Sequence, residues 1–324
     1  MPCHNAASTL AEALQSLLQQ TYADFEVILV DDGSTDSSAE VAANVAATDA
    51  RVSLVASSHV GIVEALRIAA ARVRGSVIAR MDADDIAEPT RLETQIDYLE
   101  KNPDIGLCGP LVSHFGEKAR IGRVRDPDWD NALHVPDAIE RERFVECPIP
   151  HPTFMMRRDP FDAAGGYVDR GWAEDHDLLL RVHRAGWRLG KVAEPLLRWR
   201  HTASRLSMTN DRYAPEQFRA LKRHHLVETV LDGRHRFFQW GAGEVGKPWL
   251  REWGKHAPTA VVDINPRKFG KRIHGVPVIP PDELPAPGEV IVLVAVGAPG
   301  AREEIRDWFA PRGYDEGRDY LFIA

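Results

Sequence analysis

The chain has 324 residues, enough for two domains, and its 44% hydrophobic and 27% charged content is typical of a globular protein. A formal net charge of -8, with no long run of lysine and arginine, argues against a nucleic acid held by phosphate neutralisation. The three cysteines are too widely spaced for a zinc site or a disulfide framework, and no secretory leader precedes them, so we expect reduced thiols in the cytoplasm.

Helix and strand patterns alternate through the first 81 residues. Each of three predicted helices (9–20, 37–47 and 62–74) is followed by a short apolar strand (25–30, 52–55 and 77–81). The alternation predicts an α/β domain with a mainly parallel sheet covered by helices. A parallel sheet of this kind is expected to have one more strand before Pro2. We therefore expect Met1 to be a strand residue whose strand begins upstream in the true reading frame.

Regular patterns become sparser after the third strand. A helix is predicted to start at Pro89, residues 102–144 carry no clear pattern, and a strand is expected at 154–156. A helix at about 174–185 is predicted to end at Gly186.

The alternating pattern restarts near the carboxyl end. Strands are predicted at 237–240, 259–262 and 291–296, and a helix at 301–309. These segments predict a first domain over 1–207, a helical linker over 208–234 and a small Rossmann-like α/β domain over 235–324.

Two acidic clusters each follow a predicted strand of the first domain. Asp31 and Asp32 come directly after one strand, and Asp82 and Asp84 after another. Ligands of open α/β sheets bind at the carboxyl ends of the strands. Mg²⁺ and Mn²⁺ prefer carboxylate and phosphate oxygens, so the second cluster predicts a cation that neutralises a leaving nucleoside diphosphate. A solvated turn that caps the next helix is the alternative.

The first cluster has two interpretations as well. It is either a strand-to-helix turn with an ordinary N-cap, or a site in which Asp31 or Asp32 accepts a hydrogen bond from a base imide and so selects uracil or thymine.

A third acidic pair, Glu174 and Asp175, opens a predicted helix. Acids favour helix N-termini in any case. However, Asp175 shares a helix face with Leu179 and Val182, so it is expected to point inward, where a carboxylate can deprotonate an acceptor hydroxyl. His201 is either structural or completes the metal or diphosphate site.

The second domain carries a glycine pattern. Gly241, Gly243 and Gly246 follow a predicted strand and open a helix, and Asp263 lies 20 residues beyond Gly243. This context predicts a dinucleotide-binding turn, with NAD or another nucleotide as ligand. The alternative, that the glycines serve only the turn and helix packing, stays open.

Taken in order, the motifs from Pro2-x-x-Asn5 to the Glu174-Asp175 helix resemble family 2 glycosyltransferases of the GT-A fold over residues 1–207. The resemblance implies an inverting transfer in which Asp175 is the general base. It also implies that nucleotide contacts come from Pro2, Asn5, Asp31, Asp32 and Asp82, and that Asp84 and His201 hold Mn²⁺ or Mg²⁺. His59 and Val60 depart from the family's usual Asn-x-Gly. The last domain resembles Rossmann-type modules of bacterial polysaccharide-modifying enzymes.

The implied reaction moves a sugar from a UDP- or dTDP-linked donor to a glycan or lipid-linked acceptor in bacterial surface polysaccharide synthesis. No apolar run approaches the roughly 20 residues of a membrane span, which leaves peripheral association with the inner membrane face open. Two rivals remain. One is a nucleotide- or NAD-binding regulatory protein with a degenerate transferase half, and the other is an oxidoreductase centred on Gly241 to Gly246.

Overall fold

The computed structural model describes residues 1–116, 127–202, 205–234 and 236–324. These residues form two compact units. The first unit comprises residues 1–140 and 147–214, and the second comprises residues 141–146 and 215–324. The predicted segments 1–207, 208–234 and 235–324 stay a prediction. His235, the first residue of the last segment, and residues 117–126 of the stretch without a clear pattern lie outside the described residues.

The described strands of the first unit form two sheets. They are β1 (Pro2–Cys3), β2 (Val27–Asp32), β3 (Val52–Ser57), β4 (Val77–Ala79), β5 (Ile86–Ala87), β6 (Ile105–Gly116), β7 (Met155–Arg157) and β8 (Arg188–His201). Strands β1, β2 and β3 are parallel, and Pro2 pairs with Val30. The other five form a mixed sheet in the order β4-β7-β6-β8-β5.

The expectation of one mainly parallel sheet is therefore wrong for the first unit. Strand β4 does not pair with β2; its hydrogen-bonded neighbour is β7, which runs antiparallel to it. The reason lies in the stretch that has no clear sequence pattern, because residues 105–116 form a long strand, β6, which pairs with β7 and extends this second sheet.

Helices pack against both sheets of the first unit. The helices described between residues 1 and 214 are α1 (Leu10–Leu18), α2 (Ser38–Thr48), α3 (Ile62–Ala70), α4 (Arg91–Lys101), α5 (Pro127–Ala132), α6 (Pro136–Glu142), whose last two residues belong to the second unit, α7 (Arg158–Ala163), α8 (Glu174–Arg184) and α9 (Leu206–Thr209). The predicted helices before Asp85 are confirmed, as is the one that ends before Gly186. Leu10 and Leu14 of α1 are fully buried and belong to one core cluster with Leu29 of β2, so the helix stripe packs on the parallel sheet.

Strands β6 and β8 form the longest strand pair among the described residues. They run parallel from Ile105 opposite Arg188 to Gly116 opposite His201, with register shifts near Pro110 and Leu111. Strand β5 pairs with the carboxyl end of β8, at Arg198 and Leu197. The side chains at this end of β8 therefore lie near the turn between β4 and β5.

The second unit is built around a six-stranded sheet. Its described elements are α10 (Pro215–Glu228), β9 (Phe237–Trp240), α11 (Gly246–Glu252), β10 (Ala260–Val262), β11 (Arg272–Ile273), β12 (Val276–Ile279), β13 (Ile291–Val294), α12 (Ala301–Phe309) and β14 (Tyr320–Phe322). The strand order is β11-β12-β10-β9-β13-β14, and every pair is parallel except β11 with β12. Across the described parts of the chain, we find no helix with the length and apolar character of a membrane span.

Candidate active site

Three aspartates form an acidic turn (Asp82, Asp84 and Asp85) between β4 and β5. Each offers a carboxylate oxygen, and these oxygens lie within 4.8 Å of one another. Asp85 is buried and the other two are half-buried. One oxygen of Asp85 accepts a hydrogen bond of 2.8 Å from the backbone N–H of Arg200. Its other oxygen is buried and has no hydrogen-bond partner among the described residues.

The environment of the acidic turn disfavours negative charge. Burial, followed by the neighbouring carboxylates of Asp82 and Asp84, raises the pKa of Asp85 well above its usual value. Burial and Asp82 also raise the pKa of Asp84. A divalent cation would relieve this repulsion, and Mg²⁺ and Mn²⁺ take carboxylate oxygens as ligands. The unpartnered oxygen of Asp85 and the close oxygens of its neighbours therefore fit such an ion.

Buried arginines fix the main chain that leads into the acidic turn. Arg80 is 7% exposed and forms an ion pair with Asp82. Arg91 is fully buried, and one nitrogen of its guanidinium donates to the carbonyl oxygens of Arg80 at 2.7 Å and Pro152 at 2.9 Å. Burial lowers the pKa of Arg91 to about 10. Arg91 thus ties the start of the turn to the loop before β7.

His201 lies at the end of β8, where its ring contacts another imidazole and a guanidinium. Its Nε2 is 2.6 Å from Nδ1 of His114, and its Nδ1 is 3.3 Å from a guanidinium nitrogen of Arg205. Burial, Arg205 and His114 lower the pKa of His201 to about 4, so the ring is neutral at pH 7. The cluster of close ligand atoms found among the described residues contains the acidic turn and not His201. Its role as a metal ligand stays a prediction.

The carboxylates at the end of β2 hold the neighbouring loop. Asp32 accepts hydrogen bonds from the Ser57 hydroxyl at 2.7 Å and from the backbone N–H groups of Val60 at 2.7 Å and Gly61 at 2.8 Å. Burial opposes ionisation of Asp32, but these hydrogen bonds lower its pKa below the usual value. Asp31 accepts a hydrogen bond from the Ser34 hydroxyl. The turn that follows needs glycine at Gly33, since its φ is 69° and a Cβ there would lie 2.7 Å from the backbone nitrogen of His59.

The segment before α1 joins the two acidic clusters. The side-chain oxygen of Asn5 accepts from the backbone N–H of Thr35 at 2.8 Å, and the Asn5 N–H donates to the Ser34 hydroxyl at 2.9 Å. The Thr9 hydroxyl donates to the carbonyl oxygen of Ala83 at 3.0 Å, inside the acidic turn, and makes no side-chain cap of its own helix. The segment before α1 therefore contacts both the turn after β2 and the acidic turn, although their strands belong to different sheets.

The first turn of α8 presents one buried and one half-buried carboxylate. Glu174 is 2% exposed, and both of its oxygens lie 2.9 Å from the Tyr213 hydroxyl, which donates to them. Burial and the adjacent Asp175 raise the pKa of Glu174 to about 7. Asp175 is half-buried and one of its oxygens accepts from the backbone N–H of His176 at 2.7 Å. The helix thus leaves Asp175 partly accessible, and its role as general base stays a prediction.

Several side chains of this site were not identified from the sequence, and Arg80, Arg200, Arg205 and Tyr213 are among them. Arg80 and Arg200 flank the acidic turn, since Nε of Arg200 donates to the Asp84 carbonyl oxygen at 2.7 Å. Arg205 stacks 4.4 Å above the Trp199 ring. The alternation of basic and apolar residues at the end of β8 is a signal that could have identified Arg200. No sequence pattern indicates Tyr213, because its contact with α8 depends on the tertiary structure.

In the second unit, packing explains two of the three predicted glycines. A Cβ at Gly241 would lie 2.4 Å from the Ala295 carbonyl oxygen, and one at Gly246 would lie 1.9 Å from the Gly241 carbonyl oxygen. Apart from its two chain neighbours, no atom of the described residues lies within 4 Å of a Cβ placed at Gly243. The turn is close-packed at its ends and open at its centre.

Asp263 is engaged within the second unit. Its carboxylate accepts from Lys268 at 2.7 Å and from the backbone N–H groups of Ala242 at 3.2 Å and Asn265 at 2.9 Å. Lys268 also donates to the Ala242 carbonyl oxygen at 3.1 Å. A ribose hydroxyl would have to compete with these donors, so this carboxylate is not a ready NAD ligand. NAD binding stays a prediction.

Comparison with known sequences gives consistent matches for the first unit. The family described as Glycosyl transferase family 2 matches residues 1–165. An uncharacterized glycosyltransferase of Haemophilus influenzae is 30% identical over 231 residues, covering 69% of this chain and 71% of the relative. The amylovoran biosynthesis glycosyltransferase AmsE of Erwinia amylovora is 31% identical, covering 59% and 70%.

Two solved structures share the fold. TarS of S. aureus in complex with UDP-GlcNAc has a TM-score of 0.56 at 18% identity, covering 71% of this chain and 65% of its own. The mannosyltransferase PcManGT of Pyrobaculum calidifontis, in complex with GDP-Man and Mn²⁺, has a TM-score of 0.52 at 20% identity, covering 72% and 62%. The chain thus spans less than two thirds of either of these proteins.

Proposed function

Because the chain belongs to glycosyl transferase family 2 and is a glycosyltransferase, we propose that it is an inverting, metal-dependent enzyme with a nucleotide-sugar donor. The acceptor is a glycan or a lipid-linked acceptor in the synthesis of a bacterial surface polysaccharide, at the cytoplasmic face of the membrane. The name of the relative AmsE, an amylovoran biosynthesis glycosyltransferase, supports this setting. The observation that carries the proposal is the acidic turn joined to the Asp31–Asp32 turn by the segment before α1. The same matches leave the regulatory and oxidoreductase rivals without support.

The acidic turn is the proposed metal site. Asp84 would be a ligand of Mn²⁺ or Mg²⁺, and Asp82 would contact the ribose. His201 would join the ligands only by giving up its contact with His114 or Arg205. When bound, the cation neutralises the diphosphate that leaves the sugar. The Mn²⁺ and GDP-Man named with PcManGT support this assignment.

The Asp31–Asp32 turn is the proposed nucleobase site. Pro2 and Asn5 border it, because Pro2 pairs with Val30 of β2 and Asn5 bonds to the turn after β2. A carboxylate there can accept a hydrogen bond from the imide N–H of uracil or thymine, so we propose a UDP- or dTDP-linked donor. Asp32 already accepts three hydrogen bonds from the 57–61 loop. It would therefore keep these bonds while it accepts a further one from the base.

Asp175 is the proposed general base. It takes the proton of the acceptor hydroxyl while that oxygen attacks the anomeric carbon and the bond from this carbon to the diphosphate oxygen breaks. The attack comes from the side opposite the leaving group, so the anomeric configuration inverts in a single step. The half-buried position of Asp175 supports this role, since the carboxylate stays accessible to an acceptor hydroxyl.

A ligand screen tests the donor assignment. We expect UDP or dTDP to raise the melting temperature of the protein only with Mn²⁺ present, and Asp84→Ala to remove that shift. An unchanged melting temperature with GDP would agree with the preference for uracil or thymine. A shift with UDP that is equally large without any divalent cation would contradict the metal dependence, and a shift with GDP alone would contradict the nucleobase assignment.

We propose that the second unit is a Rossmann-like module with a nucleotide site at Gly243. Its parallel strands β12, β10, β9, β13 and β14 follow the order 3-2-1-4-5 of doubly wound folds, in which ligands bind where the strand order reverses. The open space at Gly243, in the loop after β9, supports the site. NAD and UDP in the same screen, compared with Gly243→Val, test it. A nucleotide shift unchanged by Gly243→Val would contradict it.

A further inference from the structure

The first carboxylate of α8 is held by a residue far along the chain. Glu174 is 2% exposed, and the Tyr213 hydroxyl reaches both of its oxygens at 2.9 Å. The residues between them in sequence include the whole of β8, so the contact depends on the folded first unit. A buried carboxylate needs such donors, because leaving it without them is costly.

Tyr213 is itself fixed by its neighbour. Arg212 donates to the Trp172 carbonyl oxygen at 2.8 Å and to the Asp169 carboxylate at 2.9 Å. The backbone N–H of Arg212 is capped by the side chain of Asn210 at 3.0 Å. The turn that carries Tyr213 is thus bonded to the segment that leads into α8.

On its other side Glu174 meets a neutral ring. Nδ1 of His151 lies 3.7 Å from a Glu174 oxygen, beyond hydrogen-bond distance, and Nε2 of His151 is 2.8 Å from the Tyr167 hydroxyl. Burial and Arg80 lower the pKa of His151 well below its usual value, so the ring carries no charge at neutral pH. Of these two side chains, Tyr213 is the one that donates to Glu174.

We propose that Tyr213 is a positioning residue for the general base: its hydroxyl fixes Glu174 and, through the first turn of α8, the direction of Asp175. The inference rests on the proposed function. Without the hydroxyl, Glu174 would turn, and the first turn of α8 that carries Asp175 would shift with it. That shift makes Asp175 a poorer base and leaves the acidic turn and the nucleobase site as they are.

The test compares Tyr213→Phe with Tyr98→Phe, which also removes a half-buried hydroxyl from the first unit, one that bonds to the backbone of Lys191. Transfer is followed with the nucleotide sugar that the donor screen identifies. We expect Tyr213→Phe to lower kcat about 10- to 100-fold, part of the roughly 100- to 10,000-fold that a general base supplies. The donor KM and the Mn²⁺-dependent UDP shift should stay within about two-fold, and Tyr98→Phe should change neither constant.

Two further variants separate positioning from stability. p-Aminophenylalanine at position 213 restores an N–H donor and should recover most of kcat. When Tyr213→Phe is added to Glu174→Gln, kcat should fall by a much smaller factor than when it is added to the natural chain. The reason is that the two residues act as a unit. If Tyr213→Phe folds poorly, the variant with p-aminophenylalanine at position 213 becomes the test. A kcat of that variant below one tenth of the natural value overturns the proposal.

The outcomes distinguish this inference from the function on which it rests. A natural chain that binds UDP with Mn²⁺ and transfers sugar, together with a Tyr213→Phe variant of unchanged kcat, overturns the role of Tyr213 alone. A natural chain that binds no nucleoside diphosphate overturns the proposed function, and the positioning role with it.

Discussion

Replacing Glu174 by glutamine should make the first unit respond differently to pH. Burial and Asp175 raise the pKa of the folded-state carboxyl from 4.5 to about 7, so the folded protein holds a proton that the unfolded chain releases. The charged and titratable groups that act on it are Asp175, Tyr213, Arg212 and His151. The contribution of Glu174 to stability is fully present below pH 4.5 and is lost as pH rises through 7.

The size of the effect follows from the shift in pKa. Each pH unit between the two values costs about 1.4 kcal/mol, so the free energy of unfolding falls by roughly 3 kcal/mol across the window because of this one group. Glutamine does not titrate. The stability difference between Glu174→Gln and the natural chain should therefore move in favour of the variant by that amount between pH 4.5 and pH 8.

Urea unfolding at pH 5 and pH 8, followed by tryptophan fluorescence, measures this difference. Because the chain forms two units, the transitions must be fitted separately where they separate. Glu40→Gln, in the exposed first turn of α2, is the matched control and should show no such change between the two pH values. A Glu174→Gln variant whose stability tracks that of the natural chain at both pH values would refute the burial of an ionisable carboxyl at this position.

Three further results are expected. Asp175→Asn should lower kcat by about 100- to 10,000-fold while UDP binding with Mn²⁺, measured by calorimetry, is unchanged; normal transfer would show that the base lies elsewhere. Arg91→Met should destabilise the first unit by roughly 2 to 4 kcal/mol, since two buried carbonyl groups lose their donor, and an unfolding midpoint in urea equal to that of the natural chain would contradict this. Asp263→Ala should destabilise the second unit, because Lys268 loses its carboxylate partner. The Mn²⁺-dependent rise in melting temperature with UDP should remain, and its loss would contradict the assignment of donor binding to the first unit.

The sequence predicts local features of this site better than long-range ones. The helices before Asp85, the acidic turn and the Asp31–Asp32 turn are encoded by apolar periodicity and by turn residues within a few positions, so they are readable. The sheet partners of β4 are not. Its neighbour β7 lies more than 70 residues away, and β6 has glycine and proline within its strand, which hides it from a pattern search.

Contacts between distant side chains are the part that sequence patterns leave out. Nothing local links Tyr213 to Glu174 or His114 to His201, because these pairs depend on how β6 and β8 run beside each other and on the turn after β8. Likewise, the sequence places Asp263 in the context of a dinucleotide-binding turn, whereas in the structure Lys268, five residues further on, pairs with it. A charged residue five positions beyond a strand end is too common to be read as a partner.

The long parallel pair of β6 and β8 has a consequence for recombining related enzymes. A shift of one residue along a strand moves every later side chain to the opposite face. In this pair the register already shifts near Pro110 and Leu111, and beyond those shifts lie His114 and His201 at hydrogen-bond distance. Chimeras that exchange only one of the two strands, or that cross over within either, should misalign these rings. A chimera that exchanges residues 105–116 and 188–201 together should keep them aligned, so the two strands have to be exchanged as one block.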